Sequence, residues 1–183
     1  MATATSYDKW DDPGMAFTEE EIKGYSPQVF ASGRIDELVH LYQMVNLVQS
    51  GAVRINKPVF WNKAGRKLLD KASWYAQALE VPGIDREAVE VLPEPDSVEG
   101  KELMVAAREL ARMEPDEWLE SYWQECSSMM FRVVTLGRRC STNPALSGWG
   151  KRDRSYSNKL ANAVNNELLL VGKLKEILET NTK

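Results

Sequence analysis

Apolar side chains recur at three- and four-residue steps through much of this 183-residue chain. That is the period of helices that bury one face. Leu38, Leu41, Tyr42, Val45 and Val48 predict a helix from about Arg34 to Ser50, with Asp36 and Glu37 in its first turn and Gly51 as its stop. Leu68, Leu69, Ala72, Tyr75, Ala76 and Leu79 mark a second helix over about Asn62–Glu80, broken by Val81-Pro82-Gly83. Ile84–Leu92 reads as a short helix, and Leu103, Ala106, Ala107 and Leu110 mark a longer one over about Ser97–Met113. Pro115 suits the first turn of a helix carrying Trp118, Tyr122, Met129 and Val133 to a stop at Gly137. Leu160, Val164, Leu168, Val171, Leu174 and Leu178 define a last helix over about Ser155–Glu179. Gly172 inside it costs about 1 kcal/mol relative to Ala, which a close backbone contact would explain.

The segments between are less regular. Residues 1–33 hold Pro13, Gly14, Gly24, Pro27 and Gly33, and read as an irregular N-terminal arm with one capped turn at Thr18–Glu21. The arm carries Trp10, Phe17, Tyr25 and Phe30, which predict packing on its own domain or on a partner. Ala52–Phe60, interrupted by Pro58, reads as a connector or one edge strand. Residues 138–154, with turn signals at Asn143-Pro144 and Ser147-Gly148, read as a long basic loop. The expected fold class is therefore all-α: a helical bundle of about four long helices plus short ones, with an arm at 1–33 and a helical domain at 34–183.

Charge sharpens this outline. Residues 80–125 hold fourteen acidic and four basic side chains, whereas 132–159 hold seven basic and one acidic; the flanking stretches sum to zero. The net charge of -4 thus hides a bipolar chain. Opposed patches steer partners, or copies of the chain onto itself, without specifying a reaction. No stretch approaches the roughly 18 apolar residues of a membrane span, and the N-terminus lacks a basic segment leading into an apolar run. Two cysteines, Cys126 and Cys140, make no disulfide framework. The expected setting is cytoplasmic, without a membrane.

The strongest candidate site is the basic segment. Arg132, Arg138, Arg139, Lys151, Arg152, Arg154 and Lys159 could neutralise phosphates, while Trp149 and Tyr156 could stack on bases. The same cations would equally suit an acidic protein surface, including another copy's residues 80–125. A helix-turn-helix over Lys71–Leu92 is disfavoured, because its second helix carries one arginine against three acids.

Catalytic signals are weak. His40 is the lone histidine, and Asp36 four residues before it makes a helix-surface pair rather than a ligand set. Glu117 and Glu120 share a helix face but have no nucleophile or histidine beside them. Gly65-Arg-Lys67 lacks the spaced glycines and strand that cradle phosphate. Six tryptophans are many for a small bundle, and predict an exposed aromatic patch at Trp10, Trp61 or Trp149. Taken together, these features predict a non-enzymatic interaction protein or accessory subunit, self-associating or bound to another subunit, with no metal and no cofactor. The alternatives are a helical RNA- or DNA-binding protein using residues 132–159, and an enzyme of unassigned class.

Overall fold

The computed structural model describes residues 17–48 and 57–180, and every regular element among them is a helix. In chain order these are α1 (Glu19–Gly24), α2 (Pro27–Leu47), α3 (Pro58–Leu79), α4 (Arg86–Glu90), α5 (Val98–Arg112), α6 (Pro115–Thr142), α7 (Pro144–Ser147) and α8 (Lys151–Thr180). The chain is all-α over the described residues. No helix among them is long and apolar enough to cross a membrane.

Helices α2 and α3 begin earlier than periodicity predicts, and for one reason. Pro27 and Pro58 are not interruptions but the first-turn residues of α2 and α3. Proline's missing N–H costs nothing there, and its fixed φ suits the helix. Ser26 caps α2, its hydroxyl accepting from the Val29 N–H at 3.3 Å. Residues 17–33 are accordingly not irregular: they hold α1, closed by the Thr18–Glu21 capping box, and the start of α2. Asp36 and Glu37 fall well inside α2 rather than in its first turn. Pro58–Phe60 is helical, and the rest of the connector expected at 52–60 lies largely outside the described residues.

The basic loop is the larger correction. Gly137 does not end α6, which runs on to Thr142; Asn143, biased away from helical angles by Pro144, provides the break. Gly148, at φ 72°, closes α7, and α8 begins at Lys151. Gly137 instead lies mid-helix against α8, where a Cβ would sit 2.3 Å from the Ser157 Oγ and that hydroxyl would have to turn away. Gly172 is the opposite case. A Cβ there would meet nothing within 4 Å, so no close backbone contact accounts for it.

Helix α2 packs along α3, α6 along α8, and α3 along α8, with α5 laid on α2. Phe60, Trp61, Leu68, Tyr75, Leu136, Leu160 and Leu174 fill the shared core. A fully buried side chain of this size stabilises the fold by about 1.5–3 kcal/mol. Trp61 is 1 % exposed and Trp149 8 %, so neither forms the expected aromatic patch. Trp61 sits 5.2 Å from Trp118, which stacks on Tyr122 at 5.2 Å. The exposed tryptophans are instead Trp74 and Trp123; Trp10 lies outside the described residues.

Candidate interaction site

At the centre of the fold lies a buried carboxylate. Glu167 of α8 is fully buried on the stripe formed by Leu160, Val164, Val171 and Leu174. An isolated charge there would be prohibitively costly, so it must be paired and hydrogen-bonded. Arg34 of α2, itself 2 % exposed, donates from Nε to Oε1 at 3.0 Å and from a terminal nitrogen to Oε2. Tyr75 of α3 donates to Oε1 at 2.7 Å, and Tyr122 of α6 to Oε2 at 2.6 Å. The Cys126 thiol approaches Oε2 at 3.5 Å. The other terminal nitrogen of Arg34 reaches outward to Glu125 at 3.2 Å and Glu37 at 3.3 Å.

The electrostatics follow from that geometry. Burial pushes the Glu167 carboxyl up, but the Arg34 guanidinium and the two tyrosine hydroxyls outweigh it and hold the carboxyl below the usual range. Burial and the nearby carboxylate push Tyr75, Tyr122 and Cys126 well above their ordinary values. Both oxygens of Glu167 are engaged, and all four helices α2, α3, α6 and α8 contribute. The cluster locks the helices together and offers no free acid, base or nucleophile.

On the surface an open groove of about 1100 Å³ lies between α6 and α8. Its floor includes the buried Leu119, Val171 and Leu178. Trp123, 47 % exposed, and Leu169, 60 % exposed, stand at its rim. Asp116 and Glu120 edge the α6 side and Lys175 the α8 side, with Lys57 at the start of α3. Exposed apolar side chains beside a concavity with a charged rim are the anatomy of a protein-binding surface.

The expected basic residues gather at the other end of this helix pair, but not as a loop. Arg132, Arg138 and Arg139 lie in the second half of α6, and Lys151, Arg152, Arg154 and Lys159 in the first turns of α8. Arg132 pairs with Glu21 at 3.6 Å and covers the Phe17 ring at 5.0 Å. Trp149 is buried, stacked on Tyr25 at 5.7 Å, with its indole N–H donating to the Tyr25 carbonyl at 3.3 Å. Tyr156 is buried too, its hydroxyl donating to Glu80 and its ring flanked by Arg152 and Lys159. Neither ring presents a face on which a base could stack. Of the arm aromatics, Tyr25 is buried, and Phe17 and Phe30 pack against the core of their own chain.

The remaining candidates separate in space. Glu117 and Glu120 are both exposed, as are Asp36 and His40. Among the described residues no group of three His, Cys, Asp or Glu side chains is arranged to hold a metal. Cys126 and Cys140 are free, buried and on one helix, where fourteen residues of rise put them about 21 Å apart, beyond bridging. The five-residue α4 is too short to act as a recognition helix. Sequence periodicity passed over Glu167 and Arg34. The available signal was a charge on an otherwise apolar stripe, Glu167 three residues past Val164, and Arg34 one before Ile35 and four before Leu38.

Compared with known protein families, with curated proteins and with solved structures, the chain matches none.

Proposed function

We propose that this protein is a non-enzymatic interaction module, an adaptor or accessory subunit, and that it binds protein through the groove between α6 and α8. The observation that carries this reading is the pairing of half-exposed Trp123 and Leu169 at the rim of the groove. Aromatic and aliphatic side chains placed this way are the anchors that dominate binding energy when a partner desolvates them. The locked core beneath supports the reading, because a groove held rigid costs little ordering on binding. Capture from the native source, with and without nuclease, tests it. A companion at fixed stoichiometry should survive nuclease and be lost with Trp123→Ala or Leu169→Asp. A companion indifferent to both substitutions refutes the assignment to this groove.

A second reading, nucleic-acid binding at the basic end, has one observation in its favour. Lys151 and Arg154 stand in the first turn of α8, where the helix dipole disfavours cations, so folding alone does not call for them. Such binding would rest on phosphate contacts, since Trp149 and Tyr156 are engaged within the fold. It predicts a steep loss of affinity with salt and with charge reversal at Arg138 and Arg139. Affinity unchanged by either removes it.

A further inference from the structure

The seam where α3 packs along α8 carries a line of cations with a half-exposed tryptophan among them. Lys63, Lys67, Lys71 and Trp74 recur at steps of four, four and three along α3, which places them on one face. Lys159, Asn162, Asn166 and Lys173 recur at three, four and seven along α8 and share a face in the same way. The two faces meet where the Lys71 ammonium donates to the Asn166 side-chain oxygen. From there the helices run antiparallel, for Tyr75 reaches Glu167, and Glu80 just past α3 receives the Tyr156 hydroxyl. That register sets Lys173 level with the turn of α3 that holds Lys67, and Lys159 level with the end of α3. Partial burial and the nearby ammonium groups of Lys173 and Lys67 hold Lys71 below its ordinary value, and Asp70 and Glu167 offset this only in part. Among the described residues no carboxylate lies within ion-pairing distance of Lys63, Lys67, Lys71, Lys159 or Lys173. Asp70 pairs with Arg86 at 3.4 Å instead. Crowding like charges in this way does nothing for the fold, and a polyanion relieves it.

The two half-exposed tryptophans keep different company. Trp123 shares its groove with Asp116 and Glu120, whereas the Lys71 ammonium lies 5.8 Å from the centroid of the Trp74 ring. Trp74 is 49 % exposed, while Trp149 and Tyr156 are buried. We propose that the seam between α3 and α8 is a binding track for single-stranded nucleic acid, with Trp74 stacking on a base and Lys63, Lys67, Lys71, Lys159 and Lys173 meeting the backbone phosphates. A base stacks on an exposed ring only when it is free of its own helix, so a single strand fits the track better than a duplex. An anionic membrane is the poorer match, because between its cations the α8 side presents Asn162 and Asn166 rather than an apolar face to insert. Those amides suit hydrogen bonds to phosphate oxygens. The track does not depend on the groove between α6 and α8. It shares Lys159 with the basic end but lies apart from Arg138 and Arg139, and it supplies the open ring that the basic end lacks.

The test is fluorescence anisotropy of a labelled mixed-sequence single strand, as RNA and as DNA, and of its duplex, titrated with the purified full-length protein over a range of salt. Folding of each variant is checked by circular dichroism. Wild type should bind the single strand more tightly than the duplex, with a log–log salt slope of about -3.5 for five neutralised phosphates. Trp74→Ala should weaken binding about tenfold or more at an unchanged slope, and Trp74→Phe should retain most of the affinity. Lys67→Gln combined with Lys173→Gln should reduce the slope by about 1.4. A wild type that binds no single strand at low salt overturns the inference, as does binding indifferent to Trp74→Ala. Binding lost on reversal of Arg138 and Arg139 but unmoved by the Trp74 and lysine variants places the strand at the basic end, so the track fails while the second reading stands. Trp74-dependent binding to phosphatidylserine vesicles without binding to the strand assigns the seam to a membrane and overturns it as well.

Discussion

Replacing Glu167 by glutamine removes one charge and almost no volume, and tests directly how the core is held. The amide leaves the Arg34 guanidinium, 2 % exposed, without its buried counter-ion. It also turns one acceptor into a donor that must face Arg34 or a tyrosine hydroxyl, because both oxygens of Glu167 are already receiving hydrogen bonds. Removing one partner of a buried pair typically costs about 3–5 kcal/mol. Arg34 retains Glu125 and Glu37, both partly exposed at 48 % and 61 % of their side chains, which softens the loss only modestly. We expect a cost near the lower half of that range, about 3–4 kcal/mol, and a fall in Tm on the order of 10 °C for a chain of this size. Urea unfolding followed by tryptophan fluorescence measures it, read as a shift in midpoint at constant slope. The combined Arg34→Met, Tyr75→Phe, Tyr122→Phe, Glu167→Leu variant removes the charges and their dependent donors together and should recover most of the stability. Glu167→Gln within about 1 kcal/mol of wild type would refute the reasoning, because that is the scale of an ordinary hydrogen bond.

Four further outcomes follow from the same geometry. The depressed carboxyl of Glu167 contributes stability that is complete above its unfolded value of about 4.3 and is lost as pH falls through the lower folded value, so acid unfolding below about pH 4 should be shallower in Glu167→Gln than in wild type. Gly33 lies inside α2 with nothing within 4 Å of where a Cβ would sit, so Gly33→Ala should stabilise by about 1 kcal/mol in urea titration. Gly100→Ala should destabilise by about 1–3 kcal/mol, since its Cβ would fall 2.0 Å from the Glu94 carbonyl, a backbone atom that cannot swing aside. Cys126 and Cys140 are buried and burial pushes both thiols up, so native-state alkylation should be slow at both and rapid only after unfolding.

The helices were legible in the sequence wherever an apolar stripe stood alone, as with Leu103, Ala107 and Leu110 in α5. Their ends were not, because proline and glycine carry opposite meanings at different positions. Pro27 and Pro58 resembled breakers and are first-turn residues, while Gly137 resembled a stop and is a mid-helix residue facing Ser157 of α8. Basic residues 138–154 resembled a loop because their turn signals are real but brief, confined to Asn143-Pro144 and Gly148. The pairing of Arg34 with Glu167 spans 133 positions, and no local pattern could join them. The groove was equally hidden, since it forms only when α6 and α8 fold back on each other and leave Trp123 outside while Trp118, five residues earlier, turns in.

Trp123 and Trp74 give the central claim its most direct measurement, because their exposures are nearly matched at 47 % and 49 %. Hydroxyl-radical footprinting would compare the two rings in the free protein and in the nuclease-treated complex recovered from the native source. Occupation of the groove predicts that assembly protects Trp123 strongly and leaves Trp74 as reactive as before. Equal oxidation of Trp123 in both states would contradict it and move the interaction surface elsewhere on the protein.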